Sequence, residues 1–349
     1  MENILGYCQP GNFDKKVDLP PPPYDAAITQ NTEPLELPLS GNLELSENDV
    51  YEALLNHVSK FICYGKGVVK EMIIIKMEQF YAYRHSLETF TENRQVCWSY
   101  EPYAGGHIDG PLMKQCYDPW EITVDPLRQF DRHNVKLIMP HTEMLQACPD
   151  CGGAGRIECA FCHGKGKMTC NTCNGSGYTF GFSGEDRQMC VHCFSGTVTC
   201  AHCKGKGIHG CSICSEAGEI KCYVQLIVHW NNYTDSSLIE HSSDIPKDIL
   251  KKATGELVYD EINDRIKPIR YLLGDKENKS VVDLINKHIA RYFSKAKPLA
   301  HKQRIQRIPI TKVTYVWRNS TNKFWVFGNE KTVYAPHYQQ KCCCGCTIQ

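Results

Sequence analysis

Apolar and polar positions along the chain follow two periods. Val50, Leu54, Val58 and Phe61 recur at helical spacing, with Ser46 ahead of them and Asp49 three residues after Ser46 as a capping partner; this predicts a helix that Gly65 ends. A second stripe, Leu284, Ile285, Ile289 and Tyr292, predicts an amphipathic helix over about 281–293. Residues 68–100 read as strands with a turn near Glu92-Asn93-Arg94, and 135–144 as one strand. Ile220, Cys222, Val224, Leu226, Val228 and Trp230 fall on one face of a further strand, alternating with Lys221, Tyr223, Gln225 and His229. Segments 313–317 and 324–327 flank Asn319-Ser320-Thr321-Asn322 as a β-hairpin. Residues 1–40 are rich in Pro, Asn and Asp without a period and are expected to be disordered.

Between two of these strands lies a segment with neither period. Of the chain's 21 cysteines, twelve stand there in six Cys-x-x-Cys pairs: Cys148/Cys151, Cys159/Cys162, Cys170/Cys173, Cys190/Cys193, Cys200/Cys203 and Cys211/Cys214. Zinc takes four ligands in a tetrahedron, and closed sites made only of cysteine are structural, so twelve thiolates suit about three zinc ions. Glycines follow most pairs and let the backbone turn tightly around a metal. The first cysteines of successive pairs are 11, 11, 20, 10 and 11 residues apart, nearly a palindrome. A ribbon folded back on itself would give that symmetry, pairing first with sixth, second with fifth and third with fourth. Sequential pairing of neighbours stays open, and loop-closure entropy slightly favours it. In the folded-back arrangement Tyr178, Phe180 and Phe182 would be exposed near the tip, at 174–189. His163, His192, His202 and His209 are expected to be loop residues, since each site already has four thiolates. Cys222 belongs to the apolar face of its strand and is left out of the ligand set.

The rival chemistry for Cys-x-x-Cys is thiol–disulfide exchange. A redox motif normally comes singly at a helix N-terminus in a βαβ context, which six tandem pairs with glycine spacers do not resemble. The compartment matters equally. Residues 1–8 lack a basic start followed by an apolar core, and no apolar run approaches the roughly 20 residues of a membrane span. A cytoplasmic protein with reduced thiols is therefore expected, and the sequons at Asn232 and Asn278 are read as chance matches.

The run Cys148-Pro149-Asp150-Cys151-Gly152-Gly153-Ala154-Gly155 and its relatives resemble the cysteine-rich zinc domain of DnaJ-type chaperones, whose signature is Cys-x-x-Cys-x-Gly-x-Gly. That domain nests its pairs and emerges from a β-rich substrate domain. This chain has six pairs where DnaJ has four, and it lacks both a J-domain, since no His-Pro-Asp occurs, and a Gly/Phe-rich linker. Taken whole, it looks like the Ssu-two homologue family of DnaJ-like proteins without a J-domain. The resemblance implies structural zinc in 148–214 and a role in binding other proteins.

The expected fold is α+β: a β-rich body with amphipathic helices and an inserted DnaJ-type cysteine-rich zinc ribbon of nested hairpin form. The expected layout is a disordered tail at 1–40, a body in two parts at 41–147 and 219–336, the zinc module at 148–218 and a flexible Cys-rich tail at 337–349. Lys and Arg number 39, as do Asp and Glu, so there is no overall basic excess for a nucleic-acid partner. Three filled tetrathiolate sites would also leave the module net negative, which disfavours phosphate backbones.

Two short motifs add partners. The terminal Cys346-Thr347-Ile348-Gln349 matches a prenylation box, with Cys342, Cys343 and Cys344 upstream as sites for a second lipid. One lipid alone binds membranes marginally, so both signals would count. Pro21, Pro22 and Tyr24 fall in a Pro-Pro-x-Tyr ligand for WW domains, pre-extended by its prolines. No Ser/His/Asp set or phosphate loop stands out. The expected function is that of a non-enzymatic, zinc-stabilised protein-binding or chaperone-like protein that handles unfolded clients, partly membrane-associated. The alternative is a thiol-disulfide oxidoreductase.

Overall fold

The computed structural model describes residues 13, 15–23, 45–111, 117–180, 187–240, 244–266 and 275–340. Strands dominate. In chain order the first elements are β1 (Val17–Leu19), α1 (Glu47–Ser59), α2 (Gly67–Glu71), β2 (Ile73–Pro102), β3 (His133–Ile138) and β4 (Met144–Ala147). Six strands of three residues follow: β5 (Arg156–Glu158), β6 (Lys167–Thr169), β7 (Tyr178–Phe180), β8 (Arg187–Met189), β9 (Thr197–Thr199) and β10 (Ile208–Gly210). The chain then forms β11 (Glu219–Glu240), α3 (Lys247–Leu250), β12 (Glu256–Asn263), α4 (Asp275–Tyr292), β13 (Lys297–Trp317), β14 (Ser320–Phe327) and β15 (Thr332–Tyr334).

These elements form two compact units. One, the cysteine unit, comprises Met1–Leu19, Arg94–Asp125 and Asn134–Val228; the other, the helical unit, comprises Pro20–Asn93, Pro126–His133 and His229–Gln349. Strands β2 and β11 are neighbours, and each contributes residues to both units.

In the helical unit β13 pairs with β2 along most of its length. Its other edge is shared by β12, at residues 301–307, and β14, at 310–317. Pro309 falls in the break between them, where its missing N–H interrupts no ladder. Helix α1 starts as its sequence requires: Ser46 Oγ accepts from the Asp49 amide at 3.2 Å and Asp49 accepts from the Ser46 amide at 3.0 Å. Its Val50, Leu54 and Val58 are buried against Val313, Tyr315 and Phe324. It ends at Ser59, ahead of Gly65. Helix α4 lays Val281, Leu284 and Ile285 on Tyr83, Leu87 and Ile305.

Behind α4 runs a buried polar chain that the sequence did not announce. Asp235 meets His288 Nδ1 at 2.9 Å, His288 Nε2 meets Thr89 Oγ1 at 2.7 Å, and Thr89 Oγ1 meets His301 Nδ1 at 2.9 Å. Burial lowers the His288 pKa, against the pull of Asp235. In neutral His288, Nδ1–H donates to Asp235, so Nε2 accepts from the Thr89 hydroxyl, which in turn accepts from His301 Nδ1–H.

Five local expectations are corrected. No turn forms at Glu92-Asn93-Arg94, because β2 runs through it: Glu92 pairs with Lys297 and Arg94 with Leu19, and the buried Arg94 guanidinium donates to the Pro119 and Ile122 carbonyls. The expected strand at 68–71 is instead α2, which buries Val68 and Val69. The single strand at 135–144 is two, β3 and β4, split where Asp109 holds the His141 amide and ring at 2.9 and 2.6 Å. The last hairpin turns at Arg318-Asn319, with φ of 44° and 62°, so Ser320, Thr321 and Asn322 are already strand. A two-residue turn with both φ positive matches strand twist best. Within 1–40, Val17–Leu19 form a short strand on β2 where no element was expected.

Candidate metal centre

Each Cys-x-x-Cys pair builds a small loop of repeated geometry. After the second cysteine the chain turns left-handed for two residues, as at His163 and Gly164 (φ 48° and 76°) or Lys204 and Gly205 (φ 50° and 84°). This brings the amide of the second motif glycine to the second cysteine: Gly155, Gly166, Gly177, Gly207 and Gly218 each donate to the sulfur four residues back, at 3.2–3.3 Å. Amides aimed at sulfur favour thiolate.

The pairs then lock together two by two. Cys159 N–H donates to the Gly207 carbonyl at 2.8 Å, and Cys200 N–H returns the bond to Gly166 at 2.9 Å. The same exchange joins Cys148 to Gly218 and Cys211 to Gly155, and again Cys170 to Gly196 and Cys190 to Gly177. Even a Cβ has no room at these crossings. A Cβ on Gly166 would run into the Gly205 carbonyl, and one on Gly207 into the Gly164 carbonyl. Short strands complete each step, β5 with β10, β6 with β9 and β7 with β8.

The twelve thiols therefore collect in three groups of four: Cys148, Cys151, Cys211 and Cys214; Cys159, Cys162, Cys200 and Cys203; Cys170, Cys173, Cys190 and Cys193. The grouping is nested, first pair with sixth and so inward, and the sequential alternative does not occur. Within each group the sulfurs lie within 4.8 Å of one another, and sulfurs of facing pairs approach to 3.7 and 3.8, 3.9 and 3.7, and 4.0 and 3.6 Å. A tetrahedron with zinc–sulfur bonds of about 2.3 Å has edges of about 3.8 Å. All twelve cysteines are free thiols, well beyond disulfide distance. The donor set, spacing and burial thus fit zinc-type ions, with the four thiols of each group as the residues that would hold one.

As free thiols the clustered groups titrate far apart. The amides of Cys173 and Thr172 bring Cys170 down to about 6, against burial. Burial opposes Cys151 and Cys203 as well, yet the Gly155 and Gly207 amides and neighbouring thiols bring both to about 7. Burial beside Cys173 and Cys190 pushes Cys193 up to about 12. A cation that replaces the protons removes this conflict at once.

The fourth and sixth pairs depart from the repeat. After Cys193 the loop is one residue shorter and closes by reciprocal bonds between Phe194 and Thr197, which accounts for the spacing of 10 among the 11s. In the sixth, Glu216 occupies a left-handed position, φ 68°, where glycine stands in the first, second, third and fifth. Asp150 also accepts from the Cys211 thiol at 3.4 Å, a neighbour that spacing alone could not reveal.

No histidine joins the three groups: His163, His192, His202 and His209 lie outside them, and His202 stacks on Phe161. Cys222 is buried on its strand face and points its thiol at Gln146 Oε1, 3.7 Å away. Tyr178 and Phe180 are exposed, whereas Phe182 lies outside the described residues. So do Tyr24 of the proline motif and Cys342, Cys343, Cys344 and Cys346 of the terminal box; Pro21 and Pro22 are described and belong to no regular element. No helix among the described residues is long and apolar enough to cross a membrane.

The chain is 37% identical over 307 residues to the "Protein SSUH2 homolog" of Homo sapiens, an alignment spanning 87% of this chain and 80% of that one. It is 35% identical over 302 residues to the protein of the same name from Danio rerio, spanning 86% and 82%. With that of Mus musculus it shares 37% over 225 residues, 64% and 65% of the two chains. No family model matches the chain. No solved structure matches it either.

Proposed function

The chain belongs to the family of proteins named SSUH2 homolog, and from that premise we propose that it is a non-enzymatic protein-binding protein of chaperone-like character, stabilised by three zinc ions in a DnaJ-type cysteine-rich ribbon. The observation that carries this reading is the coincidence of three nested tetrathiol groups with exposed apolar side chains around the innermost of them. Phe180, Met189, Val191 and Phe194 are 76–90% exposed, while the cysteines beside them are mostly buried. A ribbon whose core is metal and thiolate can leave its large apolar side chains outside, free to meet segments of other chains. Four closed thiolates per ion leave no open position for substrate chemistry, which argues for structural zinc.

Two short motifs extend the proposal. Pro21, Pro22 and Tyr24 would recruit WW-domain proteins, and lipids on Cys346 and on one of Cys342, Cys343 or Cys344 would bring a cytoplasmic protein to membranes.

The experiment is a paired measurement of metal and binding. The native chain should carry about three zinc ions; Cys200→Ser should carry about one fewer, and Cys222→Ser the full set. Val191→Ser combined with Phe194→Ser should keep the metal and lose capture of a reduced, carboxymethylated unfolded protein. Free thiols in place of zinc, with turnover of a disulfide substrate, would instead establish the thiol-disulfide oxidoreductase reading, for which the lowered pKa values of Cys170, Cys151 and Cys203 supply nucleophiles.

A further inference from the structure

At the base of the ribbon, within the cysteine unit, the N-terminal segment lies along the edge of β2. Val17, Asp18 and Leu19 pair antiparallel with Val96, Gln95 and Arg94. Continuing that register four residues further sets Phe13 opposite Tyr100, and their rings meet there edge to face, centroids 4.9 Å apart. Phe13 and Val17–Leu19 therefore lie along β2 between residues 94 and 100, and Val17–Leu19 form the ladder. Gln95 Nε2 donates to Asp18 Oδ1 at 2.6 Å.

The hold is slight. Phe13, Val17 and Leu19 are all half-buried, none fully. With the segment in place, Val96 and Trp98 on the receiving strand are each 1% exposed. Beside the aromatic pair lies an open cavity of about 320 Å³, bounded by Phe13, Tyr100, Ile220, Pro149, Asp150 and Ile213. Pro149 and Asp150 sit inside the Cys148/Cys151 loop and Ile213 inside the Cys211/Cys214 loop, so the outermost thiol group shapes this wall.

A strand edge beside an apolar cavity is the general form of a β-augmentation site, where main-chain bonds supply affinity and a side-chain pocket supplies selectivity. Of the described residues of the cis segment only Phe13 lines the pocket, so a side chain reaching further into it would add contacts. We propose that residues 94–100 of β2 and the cavity beside Tyr100 form a peptide-docking site, held in cis by Phe13 and Val17–Leu19, which an extended segment of a partner protein takes over. The partner segment carries an aromatic residue, three residues of any kind, then apolar-acidic-apolar, the pattern of Phe13, Val17, Asp18 and Leu19. A bulkier anchor than Phe13 reaches further into the cavity. This site is separate from the exposed apolar side chains at the far end of the ribbon and does not depend on their role.

The probe is a fluorescent synthetic peptide of residues 11–20, offered to the full-length chain and to the full-length Phe13→Ser/Val17→Asp variant. Emptying the site should strengthen binding about tenfold or more, because the tethered competitor is gone, and a peptide carrying the same two changes should not bind. Equal affinity for both chains, or no binding to a variant that keeps its metal and its amide protection in β11, overturns the proposal. A second measurement needs no variant. In the unmodified chain the amides of 17–19 should exchange at least about tenfold faster than those of 220–230, as a locally opening segment does, and faster still with saturating peptide. Exchange as slow as that of 220–230, unmoved by peptide, rejects a displaceable strand. A concentration-dependent dimer that the double variant abolishes replaces the partner by a second copy of this chain and also overturns the proposal as stated.

Discussion

The cysteine ribbon and the helical unit solve the same problem, burying enough to fold, with different material. In the helical unit the buried clusters are built from long strands and helices, with Leu54, Val313 and Phe324 in one and Tyr83, Leu87 and Ile305 in another. In the ribbon the strands are three residues long and the buried clusters are made almost wholly of cysteine: Cys159, Cys162, Cys200 and Cys203 form one by themselves. Ribbon side chains such as Phe180 and Val191, which a conventional core would take in, point to solvent. The contrast teaches that the ribbon has few buried apolar side chains of its own, and a metal ion held by each thiol group would supply the stability its core lacks.

The largest effect should follow from removing the metal. Chelation should abolish amide protection across 148–218 while leaving that of α4 and β13 in place, read by hydrogen exchange. Retained protection in a verified metal-free ribbon would erase the contrast. Next comes the reverse cut. Leu54→Ala should cost about 2–5 kcal/mol in unfolding of the helical unit, as deletions of buried leucine do, with the zinc content unchanged. Loss of zinc in that variant would mean that the two regions unfold as one.

Acid should separate the regions by mechanism. Burial holds His85 and His301 down to about 4, so both are neutral in the folded helical unit. An unfolded chain binds protons on them near pH 6.5, so this contribution is complete above about pH 6.5 and is lost as pH falls toward 4. Thr89 of β2 stands beside both His288 and His301, and Asp235 of β11 and Arg291 of α4 stand beside His288. The ribbon also weakens in acid, because protons compete for thiolate, but excess zinc should offset only the ribbon's loss. Melting curves from pH 7 to pH 4, with and without zinc, make the distinction; a helical unit indifferent to this range would discount the buried histidines.

The smallest effect tests the left-handed turn of the sixth pair. Glu216→Gly should stabilise the outermost thiol group by about 1 kcal/mol, the order of the cost of left-handed backbone for a residue with a Cβ. Slower zinc release to a chelator would show it. Faster release would mean that the Glu216 side chain contributes more than its backbone costs.

The ribbon was legible in the sequence because its rules are local. Four ligands per ion, Cys-x-x-Cys spacing and glycines at fixed offsets select the twelve cysteines and exclude Cys222, and the palindromic spacing already pointed to the nested order that the thiol groups adopt. The faces of α1, α4 and β11 were legible for a similar reason, since the period of apolar residues is set by the geometry of one element. What the sequence could not determine were events that depend on a distant partner. Glu92-Asn93-Arg94 has turn chemistry, yet Lys297, Leu19 and the carbonyls near Trp120 hold it straight. Residues 135–144 alternate like one strand, yet Asp109 breaks them at His141. Asp235, His288, Thr89 and His301 come from four separate segments and meet only when α4 packs on the strands. Spacing along the chain determines what a segment is able to form; which of those forms survives is decided by the hydrogen bonds and burial that segments far apart in sequence supply to one another.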